Sequence, residues 1–222
     1  MTATPQRPGR GRRPAAQVRA AVLAATNEIL LEQGITAVTF ERVAAAAGSS
    51  KMTLYKWWPS PGALAAEAYF ASTELTLTFL DTGDIEADLR TQLHAFVTFV
   101  TETPAGRAVA GLIGAAQSDP ELAAAWSEQY SRPRRELAVR ALKRARARDQ
   151  IADGVDLESV VDQLWGACYH RLLVPDRPLD LAFADQLVDN VVRGITPRHA
   201  TTAVREGLTG LVSAARGRLG RR

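Results

Sequence analysis

The chain has 222 residues, of which 46% are apolar, and its net charge is +3. The apolar share suffices for a core, but no apolar run approaches the ~20 residues of a membrane helix, and no signal peptide is recognisable. The single cysteine, Cys168, excludes an internal disulfide and fits a reducing cytoplasm, where we expect the protein to reside.

Alanine and leucine are abundant and alternating β-branched runs are missing, so the sequence predicts an all-α protein. Charge is unevenly distributed along the chain. Residues 1–58 hold eight Arg/Lys against three Asp/Glu, residues 59–130 hold two against ten, and residues 131–222 hold seventeen against eleven. A basic head joined to an acidic middle is typical of a nucleic-acid-binding domain followed by a different one.

Residues 1–14 consist largely of Pro, Gly and Arg and predict a disordered basic arm. Arg12 and Arg13, with two further arginines upstream, could reach phosphates or a minor groove. The alternative is a solvated tail that only aids solubility. A first helix is predicted from Ala16 to Gln33, ended by Gly34.

Residues 39–58 predict two short helices joined by a glycine turn. Thr39 is the expected N-cap of the first and Gly48 its left-handed stop, and Ser50 is the expected N-cap of the second. Leu54 and Trp58 are predicted to face inward. Such a pair is a helix-turn-helix.

The outward side chains of the second helix suit DNA. Lysines can donate to base edges and phosphates, hydroxyls can bond phosphates, and aromatic rings can lie against sugars. Together with Thr39 and Ser50, the candidate DNA-binding residues of this segment are Lys51, Met52, Thr53, Tyr55, Lys56 and Trp57. From the pattern alone, an ordinary helical hairpin with a solvated face is the alternative.

The segment GSSKMTLYKWW resembles the recognition helix of the TetR family of bacterial regulators. Gly48, Ser50, Thr53, Leu54 and Tyr55 match that family's pattern, and Trp58 stands where it usually has Phe. The resemblance covers roughly residues 16–70. It implies a helix-turn-helix DNA-binding domain at 15–60, a helical regulatory and dimerisation domain at 61–196, and a final amphipathic helix with a basic tail at 197–222.

Ser60 and Pro61 predict the start of a fourth helix running to about Leu80. The family commonly has a phosphate-binding Lys at the position of Pro61. Its absence puts phosphate binding here in doubt, although the amides of Gly62 and Ala63 could still take a phosphate.

Beyond Gly83 the sequence predicts amphipathic helices. They cover about 84–103, 104–117, from 120 past Tyr130, 156–174 and 180–195, and Pro133 is expected to kink or break the third of them. Eight basic residues lie between Arg132 and Arg148. We interpret them as a solvated helix face, with a second nucleic-acid surface as the alternative.

The helices at 156–174 and 180–195 look similar to those through which the family dimerises. The resemblance implies a four-helix interface between two copies of the chain, and the alternative is that the apolar stripes pack within one subunit. The predicted interface residues are Val160, Leu164, Ala167, Leu187, Val188 and Val191.

Aromatic residues of the second domain mark where a pocket for a small-molecule effector could lie, although each is singly a good core residue. The candidates are Phe96, Phe99, Trp126, Tyr130, Trp165, Tyr169 and His170. The three histidines are not spaced as metal ligands, and the common motifs of nucleophile, nucleotide and zinc sites are missing. We therefore expect no catalytic residue, no metal and no cofactor.

The leading hypothesis is a homodimeric transcriptional regulator, most often a repressor in the family, that a small-molecule effector releases from a palindromic DNA operator. The alternatives are an activator or a ligand-independent DNA-binding protein, and, in a different class, a helical small-molecule-binding protein without DNA function. The sequence does not identify the operator, the effector or the regulated genes.

Overall fold

A computed structural model describes residues 13–72 and 79–197, and its regular elements within those ranges are helical, as predicted. The predicted arm up to Arg12 and the predicted last helix from residue 198 onward lie outside the described residues. The helices are α1 (Ala15–Gln33), α2 (Phe40–Ala47), α3 (Lys51–Trp57), α4 (Pro61–Ser72), α5 (Ile85–Glu102), α6 (Pro104–Ala116), α7 (Pro120–Trp126), α8 (Arg132–Ala147), α9 (Leu157–Val161), α10 (Ala167–Leu173) and α11 (Leu181–Ile195).

Helix starts follow the cap residues that the sequence offers. A cap oxygen accepts a hydrogen bond from one of the first amides of the helix, which would otherwise lack a partner. Such bonds form at the predicted caps Thr39, Ser50 and Ser60. Five further helices begin in the same way, at Asp84, Thr103, Asp119, Asp156 and Asp180.

The fourth helix does not include Leu80, its predicted end. The described part of α4 ends at Ser72, and Phe79 and Leu80 are not helical. The segment before α5 is instead held by Asp88, a buried carboxylate that accepts hydrogen bonds from the backbone amide and the hydroxyl of Thr82. Because Asp88 belongs to α5, these bonds tie the loop that precedes α5 to that helix.

Pro133 does not break the helix, although the α-helical pattern is interrupted just before it. A π-helical turn at Ser127–Ser131 connects α7 to α8, and Pro133 occupies the second position of α8. An amide hydrogen at the start of a helical segment has no i−4 acceptor within that segment, so proline is tolerated there. A second π-helical turn, Asp162–Gly166, joins α9 to α10.

The buried side chains form one continuous core that runs from α1 to α11. Helix α4 contributes to both ends of it: Leu64 is fully buried, and the Tyr69 hydroxyl donates to the carbonyl of Ala105 at 3.1 Å. The three N-terminal helices are therefore attached to the rest of the chain through α4 and through direct packing of α1 on α6. Of the helices described, none combines the length and apolarity that crossing a membrane requires.

Candidate nucleic-acid interface

The turn between α2 and α3 has the geometry that the sequence predicts. The Thr39 hydroxyl accepts from the Arg42 amide at 3.2 Å and starts α2. Gly48 has φ +61° and ψ 39°, a left-handed conformation that favours glycine, and it ends α2. The Ser50 hydroxyl then accepts from the Thr53 amide at 3.2 Å and starts α3.

Apolar contacts fix the angle between the two helices. Phe40 and Val43 of α2 are buried, and Leu54 of α3 is fully buried. Because Leu54 is held in the core, the opposite side of α3 must face outward. The helix therefore presents a fixed set of side chains to solvent.

We call this outward set the reading face, which consists of Lys51, Met52, Tyr55 and Lys56. Met52 is 77% exposed and Tyr55 is 59% exposed. Two large apolar or aromatic side chains left this open beside two lysines are available to a partner surface. A DNA groove, with phosphates for the lysines and apolar thymine methyl groups for Met52, fits that composition.

Tyr55 is held at its ring and free at its hydroxyl end. Its ring packs edge-on against Phe40, with centroids 4.6 Å apart, while the residue stays exposed. Packing of the ring orients the phenol without covering it. The hydroxyl is available to donate to a phosphate oxygen.

Lys51 forms an ion pair across the motif. Its ammonium nitrogen lies 2.5 Å from Oε1 of Glu41, the second residue of α2. Hydrogen bonding from Lys51 lowers the pKa of the Glu41 carboxyl below its usual value. This contact could not be predicted from the sequence, because the two residues lie on different helices.

Two of the predicted DNA-binding residues are less exposed than the reading face. Thr53 is half-buried and shares a hydrogen bond of 2.9 Å with the Ser50 hydroxyl. Trp57, predicted to point outward, is half-buried too, with its ring edge-on to Trp58 at 5.6 Å between centroids. That prediction is corrected, since Trp57 packs partly against the core.

Trp58 anchors the end of the recognition helix by polar contacts as well as by burial. Its indole nitrogen donates to Glu67 of α4 at 2.8 Å. Glu67 also accepts two hydrogen bonds from Arg19 of α1, at 2.6 and 2.7 Å, and the Arg19 guanidinium lies over the Trp58 ring at 4.7 Å. Residues from α1 and α4 and the end of α3 meet at this cluster. The only sequence signal for it is that Trp58, unlike the Phe usual at this position, carries an indole N–H that needs an acceptor.

The start of α4 is occupied by the protein itself. Ser60 caps Ala63 and donates to Oδ2 of Asp119 at 2.9 Å, and Gly62 is buried so closely that an added Cβ would lie 2.1 Å from the same oxygen. Asp119 also caps α7 through its other oxygen. The prediction that the Gly62 and Ala63 amides could take a phosphate is therefore corrected, because the Ala63 amide is bonded to Ser60 and an internal carboxylate lies beside Gly62.

Four of the seven aromatic and histidine candidates for the pocket form a connected array. Trp126 and Tyr130 stack with centroids 4.3 Å apart, the Tyr130 and Tyr169 side chains lie near enough to influence each other's pKa, and Phe96 meets Tyr169 edge-on at 5.4 Å. Burial raises the pKa of both tyrosine hydroxyls. The Arg134 guanidinium covers the Tyr130 ring at 3.7 Å.

The other three candidates lie apart from this array. Trp165 is half-buried and meets Phe79 at 6.4 Å, and Phe99 is partly buried against the core. His170 is exposed, so its predicted place in an enclosed pocket is corrected. An open groove of about 310 Å³ lies elsewhere, beside Arg90 and His94 of α5.

Most of the predicted dimer contacts are buried within the single chain. Val160, Leu164, Val188 and Val191 belong to its own core, so the prediction that they form the surface for a second copy is corrected. The physical reason is that α11 packs mainly against α5. Ala167 and Leu187 are only partly buried.

Charged contacts reinforce that packing. Arg90 of α5 bonds Asp185 at 2.9 Å and Asp189 at 2.7 Å, and His94 lies 2.7 Å from Asp185. Hydrogen bonding to Asp189 and then Asp185 raises the pKa of Arg90. The basic helix α8 is likewise tied to its own chain, because Arg135 bonds Glu158 and Asp162.

Comparisons with known proteins identify both halves of the chain. Residues 22–68 match the family described as "Bacterial regulatory proteins, tetR family", and residues 79–191 match "Tetracyclin repressor-like, C-terminal domain". The HTH-type transcriptional regulator YdeS of Bacillus subtilis, which is uncharacterised, is 30% identical over 83% of this chain and 92% of its own. The DNA-binding transcriptional repressor TetR of Mycobacteroides abscessus is 30% identical over 78% of this chain and 90% of its own.

Solved structures agree. The crystal structure of the TetR family transcription regulator SCO0332 shares 55% identity, covers 82% of this chain and all of its own, and has a TM-score of 0.66. NalD of Pseudomonas aeruginosa, the secondary repressor of the MexAB-OprM multidrug efflux pump, has 21% identity over 84% of this chain and all of its own, with a TM-score of 0.60. At that identity, the second likeness shows the fold alone.

Proposed function

The chain belongs to the TetR family of bacterial transcriptional regulators, and from this premise we propose that it is a homodimeric repressor released from a palindromic operator by a small-molecule effector. Members of this family bind DNA through the helix-turn-helix and are not enzymes. The proposal concerns the repressor role, the dimer, the effector, a cytoplasmic location and the residues that serve each.

The reading face carries the DNA part of the proposal. Lys51 and Met52 start α3, where side chains of a recognition helix reach base edges. We assign Lys51 to guanine O6 or N7 and Met52 to a thymine methyl group, and we assign Tyr55 and Lys56 to phosphates. Thr39, Ser50 and Thr53 serve mainly to hold the helix starts in place, as their hydrogen bonds support.

A repressor is supported by the name of the Mycobacteroides abscessus relative, a DNA-binding transcriptional repressor. An activator would bind the same kind of operator through the same face. Transcription from the bound promoter, with and without the protein, separates these roles.

The palindromic operator that we propose requires a dimer with two-fold symmetry. Its two half-sites are related by a two-fold axis, so the two reading faces must be related in the same way. The exposed side of α10 offers surface for the second copy. Gly166 is exposed, with no atom within 4 Å of an added Cβ, and Ala167, His170 and Leu173 follow it at helical spacing. Small residues here would allow two helices to approach closely.

The effector is assigned to the neighbourhood of the aromatic array. Phe96 and Tyr169 would offer ring surface beside the stacked pair of Trp126 and Tyr130, and the tyrosine hydroxyls and Arg134 would offer polar groups. These groups favour a flat, apolar or weakly anionic ligand. The coupling to DNA requires the effector to bind the DNA-incompetent arrangement more tightly than the competent one.

The test begins with selection of operator from a randomised duplex library by the full chain, followed by binding in a fluorescence anisotropy titration. We expect an enriched inverted repeat and a protein-to-site ratio of two per operator. A screen of small molecules then monitors tryptophan fluorescence and operator release together. Ligands that quench fluorescence without releasing DNA would count against the switch, and failure to enrich any duplex would leave a helical small-molecule-binding protein as the better description.

A further inference from the structure

The pair formed by Lys51 and Glu41 places an acid inside the DNA-reading surface. Lys51 is the first residue of α3 and Glu41 lies in the first turn of α2, with 2.5 Å between nitrogen and oxygen. The side chains are 51% and 56% exposed. Both groups are therefore open to solvent and to any DNA that docks on α3.

Glu41 is conspicuous because of its surroundings. It is the one acidic residue in the sequences of α2 and α3, which otherwise carry Arg42, Lys51 and Lys56. A carboxylate on a surface that must meet phosphates weakens binding to every DNA sequence. A negative charge at the start of α2 also stabilises that helix by interacting with its dipole. That role does not require contact with Lys51.

To contact DNA, Lys51 must exchange the Glu41 carboxylate for an acceptor on the DNA. That exchange is favourable only where the DNA acceptor is well placed. An exposed ion pair of this kind is weak and can open readily. When it opens, Lys51 must find an acceptor that replaces the carboxylate, and a guanine edge in the major groove supplies two acceptors at fixed positions. On a wrong sequence Lys51 can stay with Glu41 and contribute no phosphate contact.

We propose that Glu41 is a specificity-determining residue, an internal counter-ion that withholds Lys51 from non-specific DNA and yields it only to the correct base pair. This inference rests on the proposed function, in which Lys51 reads a base. In this role Glu41 disfavours binding to incorrect DNA sequences and makes no contact to the correct one. Its removal strengthens binding overall while weakening discrimination.

The test compares Glu41→Gln with the wild-type chain on the selected operator and on a scrambled duplex of the same length. Glu102→Gln is the matched control, because it removes the same charge from an exposed position at the far end of α5. We expect Glu41→Gln to raise affinity for the scrambled duplex roughly two- to fivefold, the range of an exposed ion pair, and to raise operator affinity less. The dependence of log K on log salt for the scrambled duplex should steepen by up to about 0.9, as one more phosphate contact forms.

A second comparison isolates the route through Lys51. In a Lys51→Gln background, Glu41→Gln should no longer change the specificity ratio. If it still does, Glu41 acts by general repulsion or through the helix dipole, and the inference is overturned. An unchanged ratio in the Glu41→Gln single variant, in a wild-type chain that does select an operator, overturns this inference alone.

A measurement without DNA checks the contact itself. Carboxyl NMR of the free protein should show a lowered pKa for Glu41 that returns toward its usual value in Lys51→Gln. The same titration on the operator complex should show Glu41 without its Lys51 partner. A Glu41 pKa that Lys51→Gln leaves unchanged would mean that the pair does not form in solution, and the inference would fail even if the proposed DNA binding holds.

Discussion

The indole nitrogen of Trp58 donates a hydrogen bond of 2.8 Å to the Glu67 carboxylate, which joins the residue that ends the recognition helix to α4. Glu67 is held in turn by two hydrogen bonds from Arg19 of α1. The orientation of the reading face thus depends on a buried ring whose one polar atom is satisfied from a different helix. A motif built on a phenylalanine at this position would lack that connection.

The first prediction concerns this anchor. Trp58→Phe keeps a large ring in the core but removes the N–H group and leaves space behind it, so we expect a loss of roughly 1–2 kcal/mol in the free energy of unfolding. Urea denaturation followed by circular dichroism measures it. Trp57→Phe is the matched control and should cost clearly less, because Trp57 is only half-buried. Equal losses for the two variants would contradict the anchoring role.

The second prediction concerns base reading. Lys51→Ala should weaken operator binding by about 1–3 kcal/mol and relax the preference at one base pair in each half-site. Anisotropy titrations against a set of single-base operator variants provide the measurement. Tyr55→Phe is the control, since its ring still packs on Phe40 while a phosphate contact is lost. It should weaken all sequences alike, and a Lys51→Ala profile that matched wild type at every position would refute the assignment.

The third prediction concerns the dimer. Gly166→Trp should separate the dimer without unfolding the subunit, because an added Cβ at Gly166 meets no atom within 4 Å in the single chain. Light scattering after size-exclusion chromatography gives the mass, and circular dichroism reports the fold. Gly114→Trp is the control, a second exposed helical glycine with the same open space, on α6. A folded dimer in Gly166→Trp would place the interface on another surface.

The fourth prediction concerns the thiol. Cys168 is fully buried, and burial raises its pKa to about 12. At pH 8 the folded protein should react with a disulfide reagent roughly a thousandfold more slowly than the urea-unfolded chain, because the reactive species is the thiolate. Absorbance of the released thiol anion follows the reaction, and unfolding should release one equivalent. Fast reaction of the folded protein would show that α10 opens readily.

The same shift predicts how stability varies at high pH. The folded thiol stays protonated where the unfolded one, with a pKa near 8.5, ionises. Its contribution to stability is therefore complete below about pH 8.5 and is lost as the pH rises through about 12. In Cys168→Ala this part of the alkaline loss of stability should be missing.

Much of the helix-turn-helix could be predicted from the sequence because its signals are local. Thr39, Ser50 and Gly48 act on backbone groups within a few residues, so the caps and the turn follow from residue type and spacing. The inward direction of Leu54 follows from helical periodicity in the same way. The family pattern then assigned this geometry to DNA.

Only the tertiary structure determines which side chains of different helices contact each other. The pairing of Lys51 with Glu41, the joining of Arg19, Trp58 and Glu67, and the burial of Val188 all depend on the angles at which helices cross. Periodicity shows that a helix has an apolar stripe but not which neighbour covers it, so the family resemblance assigned the stripe of α11 to a second copy, and packing within one subunit stayed the alternative. The packing energy of the whole chain resolves that choice, and it cannot be calculated from any single segment.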